Sequence, residues 1–299
     1  MPARLILNAD DFGLTRGINR AIGELHSAGV LPSATLMAAG PAFDDAIAVA
    51  RAHPSLGVGC HIVLTDGAPV SPPDSIPSLI GTDGKNFRPS LVDFVQALLL
   101  GRINAEEVAR EALAQIEKLQ RAGICVTHID THKHTHLFPA IARPLLQIAD
   151  RCGIRSIRNP FESDWSLALD HGSLARRLAV RLIGCLRPRF EAHAQIREGR
   201  IRTTDGTVAI SATGQLNAAT LAEVLRALPS TGTYELCCHP GYNDGDLDRV
   251  ATRLRAHRDI EREALLSEIP RVLAGPNAPL LLHYGSVAAQ QAASFQRQV

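Results

Sequence analysis

Short apolar runs that alternate with helix-like stretches are the feature that most restricts how this chain can fold. The runs cover residues 5–9, 34–38, 57–61, 124–129, 154–157, 234–238 and 280–283. Between them, residues 18–28 and 105–122 place apolar side chains at helical spacing. Both stretches end at a glycine, which is typical of helix C-termini. Strands that alternate with helices form parallel sheets with crossover helices, so we predict an α/β fold.

Polar side chains stand at or just after the C-terminal ends of these runs. They are Asp10, Asp11, His61, Asp130, His132, Arg158, His239 and His283. In a (β/α) barrel the C-terminal ends of all strands converge on one face, where active sites are built. A doubly wound sheet would collect fewer of them at a single switch point. We therefore predict a distorted or incomplete (β/α) barrel of about seven parallel strands with helical insertions.

Two insertions interrupt this pattern within what we interpret as a single domain, residues 1–299. Residues 66–89 are rich in Pro, Gly, Ser and Asp, and we expect a long loop there, with a lid over the site as one hypothesis. Residues 161–211 are expected to form a basic helical insertion, because residues 173–190 carry five arginines interleaved with leucines and no acidic residue. This segment is either a helix with a solvated basic face or a surface that contacts anionic lipid headgroups or a lipid-linked substrate.

Composition excludes several classes of protein. The net charge of +1 creates no field that would attract nucleic acid, and no nucleic-acid-binding motif is present. No apolar run approaches the roughly 20 residues of a membrane span, and the N-terminus lacks the pattern of a signal peptide. The six cysteines are scattered without a CxxC pair, which favours reduced thiols in a cytoplasmic protein. Zinc ligation by Cys237 or Cys238 is the weaker alternative.

The adjacent carboxylates Asp10 and Asp11 follow the first apolar run. Neighbours on a regular strand point to opposite faces, so both can reach one site only where the strand ends and the backbone bends. We expect Phe12-Gly13 to supply that bend. Two close carboxylates repel each other unless a cation neutralises one. One carboxylate would then bind a metal ion while the other accepts a proton from water; alternatively, the pair caps the next helix.

A cluster of histidines with one aspartate occupies alternate positions after the fourth run. Its members are His128, Asp130, His132, His134 and His136. An extended segment would place them on one face, and packing alone rarely accommodates so many imidazoles. Carboxylates and imidazoles are ligands of hydrolytic divalent metals. Spacing does not choose the ligand: His128 could support another ligand, and His136 could cap the following helix.

Three further residues are ambiguous singly but informative together. His61 ends the third run, and His239 is exposed by the sharp turn that Pro240-Gly241 imposes. Arg158 follows the fifth run and could anchor a carboxylate or shift its pKa. The barrel prediction places all three on the same rim.

These motifs resemble, in the same order, those of the YdjC-like (ChbG-type) carbohydrate deacetylases. The matching segments are residues 7–13, 59–65, 127–136 and 235–241. The resemblance implies a distorted barrel that removes an N-acetyl group from an amino sugar with a divalent metal, often as a homodimer. It implies Asp11, His61 and His132 as metal ligands, Asp10 as the base and His239 as the acid. Arg158 would orient Asp10.

Small departures from the family pattern leave the implied ligands in place. Thr131 stands where serine is common, and Cys60 stands where a larger apolar residue often precedes the histidine. The arginine-rich insertion resembles the subgroup associated with hopanoid biosynthesis, which would imply an N-acetylglucosaminyl hopanoid glycolipid as substrate. Separately, the pattern of arginines and leucines at residues 173–190 is compatible with peripheral contact with the inner membrane face, in a protein otherwise expected in the cytoplasm. Either Mg²⁺ or Zn²⁺ is compatible with the ligand set.

Two alternative functions remain open at this level. One is a metal-dependent phosphoesterase or cyclic amidohydrolase on the same scaffold, although phosphoryl substrates more often require two metals and a basic pocket. The other is a non-catalytic protein that binds a sugar or lipid. Loss of the base or acid would favour it, but Asp10 and His239 are both present.

Overall fold

A curled parallel sheet forms the centre of the structure. The computed structural model describes residues 3–169 and 171–287. The strands are β1 (Arg4–Phe12), β2 (Ser33–Leu36), β3 (Gly57–Ile62), β4 (Ile129–Thr131), β5 (Gly206–Val208), β6 (Thr233–Cys238) and β7 (Leu280–Leu282). They are arranged in the order β4-β3-β2-β1-β6-β5, with β7 also paired to β1, and every pairing is parallel.

Helices connect these strands, as the alternating pattern predicts. The α-helices are α1 (Arg16–Ser27), α2 (Phe43–Ala52), α3 (Leu91–Leu99), α4 (Ala105–Arg121), α5 (Pro139–Arg151), α6 (Asp164–Leu167), α7 (Leu174–Ile183), α8 (Arg187–Glu191), α9 (Ala194–Arg197), α10 (Ala218–Arg226) and α11 (Ala256–Leu273). Short 3₁₀ turns cover Pro73–Ser75, His132–Leu137, Gly184–Leu186 and Leu247–Arg249. None of the described helices is both long and apolar enough to cross a membrane.

The distorted barrel is confirmed, but two parts of it differ from the sequence prediction. Residues 154–157 make only isolated bridges, from Ile157 to Ile129 and from Ser156 to Arg202. They do not form a regular strand, although backbone hydrogen bonds still join this segment to Ile129 and to Arg202. Conversely, β5 belongs to the sheet although it lies within 161–211, which was expected to be a helical insertion.

Side chains on the strands alternate between an apolar outer face and a polar interior. On β1, Leu7 and Ala9 pack in the hydrophobic core under the helices. Asn8 and Asp10 point the other way, and the Asn8 amide donates to Asp10 Oδ1 at 3.0 Å. The Thr35 hydroxyl of β2 donates to Asp10 Oδ1 at 3.3 Å. The barrel interior is therefore polar where a site can be built, and the period of two along each strand decides which residues face it.

His128 lies in the barrel interior, directly before the start of β4. Its ring stacks on that of Tyr284 at 4.0 Å between centroids. A Cβ at position 59 would lie 2.4 Å from His128 Cε1, so only glycine fits opposite the ring. Burial lowers the pKa of His128 to about 3, and the positive charge of Arg158 adds to this effect against the opposing carboxylates. The imidazole is neutral in the folded protein.

Replacing His128 with phenylalanine should make the fold less sensitive to acid. The unfolded chain binds a proton on His128 below about pH 6.5, whereas the folded chain does so only near its pKa of about 3. The wild type therefore loses stability as pH falls from 6.5 towards 3, by up to about 1.4 kcal/mol per pH unit from this one group. Urea unfolding at pH 7.5, 6 and 5 measures the effect. If the free energy of unfolding fell equally with pH in both proteins, the prediction would be contradicted.

The loop at 66–89 is fastened to α4 and to the His132–Leu137 turn. Glu111 accepts hydrogen bonds from the backbone amides of Val70 at 2.8 Å and Ser71 at 2.9 Å. Lys133, in the turn, forms an ion pair with Asp66 at the start of the loop. These contacts hold the loop beside the polar end of the barrel.

Candidate functional site

The end of β1 brings both adjacent carboxylates to one site. Asp11 has a φ of +63°, and the pairing of β1 with β2 shifts register between Ala9 and Phe12. Residue 11 is therefore rotated out of the regular strand, which cancels the alternation that would separate neighbouring side chains. The bend begins at Asp11 itself, one residue before the predicted Phe12-Gly13, and Gly13 continues it with a φ of +89°.

Three side chains converge at the mouth of the barrel as candidate metal ligands. His61 Nε2 lies 3.3 Å from His132 Nδ1 and 3.8 Å from Asp11 Oδ1. His132 Nδ1 lies 3.6 Å from Asp11 Oδ1. Metal–ligand bonds of about 2.1 Å at tetrahedral angles separate two ligand atoms by roughly 3.4 Å. The three donors therefore fit one divalent ion without rearrangement. We call Asp11, His61 and His132 the three-donor cluster.

The ring of His61 is oriented by Asp130. His61 Nδ1 donates to Asp130 Oδ1 at 2.8 Å, which leaves Nε2 facing Asp11. Such a carboxylate commonly supports a metal-binding histidine by setting its tautomer and ring angle. Burial lowers the pKa of His61, but the negative charges of Asp130, Asp10 and Asp11 raise it to about 9. The site is thus strongly attractive to a cation.

Asp11 is held by an arginine that the sequence analysis missed. Arg258, on α11, is 1% exposed and its Nη2 donates to Asp11 Oδ2 at 2.6 Å. Burial raises the pKa of Asp11, but Arg258 and His132 more than offset this and keep the pKa well below its usual range. Arg258 thereby reserves Oδ1 for the two histidines. No local pattern marks this residue, because it lies among other charged residues of one helix.

Replacing Arg258 with methionine should weaken metal binding by about 10- to 100-fold, as is typical when a residue that supports a ligand is lost. The Asp11 carboxylate would be free to rotate away from His61 and His132. Isothermal titration with Zn²⁺ measures the effect, and Arg262→Met, one turn further along α11, is the control. Arg262 stacks on Tyr242 and pairs with Asp259 and Glu263 rather than with Asp11. Equal affinity in both variants would show that Arg258 does not position Asp11.

The second carboxylate, Asp10, is bound by the guanidinium of Arg158. Nη1 donates to Oδ2 at 2.8 Å and Nη2 donates to Oδ1 at 2.6 Å. Burial raises the pKa of Asp10, but Arg158, His61 and His239 lower it well below its usual range. Asp10 is therefore ionised, as a proton acceptor must be. Oδ2 is the less crowded oxygen, since its other donor is only the thiol of Cys237 at 3.2 Å.

Arg158 is itself held by a chain of buried polar groups. It is 0% exposed, and it pairs with Asp130 at 2.6 Å and with Glu235 at 2.7 Å. The hydroxyl of Tyr284 donates to the other oxygen of Glu235. The sequence analysis assigned no role to Glu235, the first residue of the segment 235–241. Its position two residues before Cys237 and four before His239, on the inward face of β6, was the signal that could have found it.

Loss of the Tyr284 hydroxyl should destabilise the protein by about 1–3 kcal/mol, because a buried carboxylate oxygen of Glu235 would lose its donor. Tyr242→Phe is the matched control. The Tyr242 hydroxyl also donates to a carboxylate, that of Glu24, but at an exposed position, where we expect a change within about 0.5 kcal/mol. Urea unfolding at neutral pH compares Tyr284→Phe with this control. Equal stabilities of the two variants would contradict the importance of the buried chain.

His239 lies near Asp10 and also contacts Arg258, whose Nη1 donates to the His239 carbonyl at 3.5 Å. Its Nε2 is 3.9 Å from Asp10 Oδ2, and its side chain is 14% exposed. The backbone amide of His239 donates to Glu261, on α11, at 2.6 Å, which secures the turn after β6. The imidazole is thus only partly accessible to solvent, less than the turn at Pro240-Gly241 predicts, and it remains close to the Asp10 carboxylate.

A second group of potential ligands, Asp10, Cys237 and His239, is less suited to a metal. Both oxygens of Asp10 are already bound by the cationic Arg158. Burial raises the pKa of Cys237 well above its usual value, with Asp10 and Glu235 adding to the effect against Arg158. The thiol stays protonated and is a poor ligand. The cluster of Asp11, His61 and His132 is the better candidate.

Two candidates from the sequence do not reach the site, namely His136 of the histidine cluster and His283, which was expected at the rim. His136 instead contacts Thr131 Oγ1 at 2.7 Å and the carbonyl of Arg158 at 3.2 Å. His283 lies against Gly57, at the start of β3. The reason is that β7 pairs only with Arg4–Ile6, so its C-terminal end reaches only part of the way up the barrel. Lys133 and His134 adopt left-handed conformations, which end the extended segment at His132.

Comparison with known proteins agrees with this geometry. The model of the YdjC-like protein family matches residues 4–273. A protein from Halalkalibacterium halodurans named carbohydrate deacetylase is 30% identical over 266 residues, which cover 86% of this chain and 98% of the relative. Another so named, from Brevibacillus brevis, is 44% identical over 147 residues. That alignment covers 49% of this chain and little more than half, 56%, of the relative.

A solved structure shows the same architecture over almost the whole chain. It is that of a protein from Enterococcus faecalis described as a proposed cellobiose-phosphate cleavage protein. The two chains superpose with a TM-score of 0.75 at 26% identity, covering 96% of this chain and 99% of the other. This chain belongs to the YdjC-like family.

Proposed function

We propose that this protein is a hydrolase that removes the N-acetyl group from an N-acetylated amino sugar with the help of a divalent metal. One observation carries the proposal. The ionised carboxylate of Asp10, held by Arg158, lies beside the three-donor cluster and near the partly buried imidazole of His239. Relatives named carbohydrate deacetylases, one of them aligned over 98% of its length, support this activity.

The donor set indicates which residues would hold the ion. Asp11, His61 and His132 would bind it, and the ion would supply Lewis-acid polarisation of the amide carbonyl and a water of lowered pKa. Two imidazoles and one carboxylate suit Zn²⁺ better than Mg²⁺, which prefers oxygen ligands in octahedral geometry. Titration with both ions tests this preference.

The residues of the chain divide the proton transfers between them. Asp10 accepts the proton of the attacking water at Oδ2, while Arg158 holds the carboxylate in place. His239 donates a proton to the nitrogen of the leaving amine, which would otherwise be a poor leaving group. The 3.9 Å between His239 Nε2 and Asp10 Oδ2 puts base and acid within reach of one scissile amide. The proton that Asp10 accepted from water then returns to His239 and replaces the one given to the amine, so one water is consumed and the reaction is a hydrolysis.

The surroundings favour an amide over a phosphoryl substrate. The two buried arginines nearest the three-donor cluster, Arg158 and Arg258, are bound to Asp10 and Asp11. They are therefore not free to bind a phosphoryl group. Arg158 also blocks a second metal beside Asp10, although phosphoryl transfer often uses a metal pair. A protein that only bound sugar would have no use for a base held this tightly.

Acetate release tests the proposal directly. N-acetylated chito-oligosaccharide and an N-acetylglucosaminyl glycolipid are offered in parallel, with added Zn²⁺ or Mg²⁺ and with EDTA. We expect release that depends on the metal, and the preferred substrate decides between a soluble sugar and the narrower hypothesis of a hopanoid-linked sugar. Absence of release from both, from protein shown to bind metal, would refute the activity. The homodimer and the cytoplasmic location implied earlier stay predictions, and sedimentation velocity tests the first.

A further inference from the structure

Helix α7 exposes a continuous apolar stripe. Leu174, Leu178 and Leu182 are 68%, 51% and 72% exposed. They are four residues apart, so they lie on one face of the helix. Ala175 and Ala179, also exposed, extend the same face. Single exposed leucines need no explanation, but three aligned on one helix indicate an interaction surface.

The orientation of the helix is fixed by its C-terminal end and by the residues that follow it. Ile183 and Leu186 pack against the core, and Phe190 of α8 is buried within it. Arg187 donates to the carbonyl of Glu162 at 2.8 Å. The Phe190 ring is also 6.3 Å from that of His136, in the turn that begins with His132. The apolar stripe is therefore presented outward from a segment packed beside the candidate site.

The charges around the stripe select its partner. Residues 173–190 contain five arginines and no acidic residue, and Arg181 and Arg189 are exposed. A second copy of this chain would bring two such arginine-rich faces together, which like-charge repulsion opposes. An apolar face bordered by arginines matches the interface of an anionic bilayer, where leucines enter the acyl region and guanidinium groups remain at the phosphates.

We propose that α7 docks the protein on anionic phospholipid membranes, with Leu174, Leu178 and Leu182 inserted into the interface. This proposal is independent of the proposed deacetylase activity. Residues 173–190 then form a peripheral contact, and the candidate site lies close to the bilayer surface.

Sedimentation with vesicles tests the docking. Wild type should bind vesicles of phosphatidylcholine containing phosphatidylglycerol but not vesicles of phosphatidylcholine alone, and added salt should weaken binding. Triple replacement of Leu174, Leu178 and Leu182 with serine should abolish it. Arg181→Gln and Arg189→Gln should each weaken it about fivefold.

A matched triple variant tests whether any exposed apolar patch of the protein would bind vesicles equally well. Helix α3 and the residue after it expose Val92, Leu99 and Leu100, without the cluster of arginines. Serine at these three positions should leave vesicle binding unchanged. Both triple variants should hydrolyse soluble substrates like the wild type, so a failure of docking is distinct from a failure of catalysis.

The exposed cysteines provide a second readout, because Cys185 follows α7 and Cys125 is far from it in sequence. An environment-sensitive fluorophore on Cys185, in a Cys125→Ser background, should shift to the blue with anionic vesicles. The same fluorophore on Cys125, in a Cys185→Ser background, should not. Absence of vesicle binding, or equal losses in the two triple variants, would overturn the proposal. So would a dimer that the α7 variant dissociates without any vesicle binding, since a second copy would then cover the stripe.

Discussion

Asp10→Asn should lower kcat for deacetylation by about 10²- to 10⁴-fold, the usual contribution of general base catalysis. Asparagine keeps the shape of the side chain but cannot accept the proton of the attacking water. Its amide group would also face the guanidinium of Arg158, which now donates to both carboxylate oxygens. The measurements are initial rates of acetate release and the metal content of the purified variant.

Metal content is the decisive control for Asp10→Asn. The three candidate ligands are untouched by this substitution, so the variant should bind one ion per chain as the wild type does. A variant that retained its metal and stayed within about tenfold of the wild-type rate would show that another group is the base. A variant that lost its metal would instead place Asp10 among the ligands.

His132→Ala should abolish metal binding and reduce activity to the level seen in EDTA. His132 is one of only three protein donors in the preferred cluster, and the remaining pair would hold an ion at least about 100-fold more weakly, more than is lost with a supporting residue. The loss should not be restored by adding Zn²⁺ or Mg²⁺ at concentrations that saturate the wild type. Metal titration followed by activity assay measures both effects.

Cys237→Ala distinguishes the three-donor cluster from the group formed by Asp10, Cys237 and His239. The thiol donates to Asp10 Oδ2 at 3.2 Å, and within the described part of the chain it makes no hydrogen bond to Asp11, His61 or His132. We expect metal content to be unchanged and activity to remain within a few-fold of the wild type. The reverse pattern, with metal retained in His132→Ala and lost in Cys237→Ala, would place the ion between Asp10, Cys237 and His239.

Much of the fold was predictable because most strands are apolar runs whose C-terminal ends carry polar residues. The helices at 105–122 and 18–28 were predicted to within three residues at either end, since an apolar stripe and a terminal glycine mark each of them. The strand β5 was missed because Gly206–Val208 is too short to form a recognisable run. The run at 154–157 was predicted as a strand, but an apolar run does not reveal that its pairing is limited to isolated bridges with Ile129 and Arg202.

The sequence identified most residues of the candidate site but not all of the residues that hold them in place. Asp10, Asp11, His61 and His132 were identified from local motifs and lie together. Arg258 was not, since it meets Asp11 from 247 positions away, and nothing near it in sequence distinguishes it from the other arginines of α11. His283 was expected at the rim, but the register of β7 against β1 places it elsewhere.

By itself the sequence determined the architecture and the chemical identity of the donors, because hydrophobic periodicity and motif spacing are local properties that each segment carries. Only the tertiary structure decided which histidines face a common ion, which oxygen of Asp11 remains free, and that Asp10 is ionised. Those properties depend on strand register, on the left-handed turn at Asp11, and on buried charges brought together from distant segments. In a low-dielectric interior such charges set one another's protonation and geometry, and no stretch of sequence contains them all.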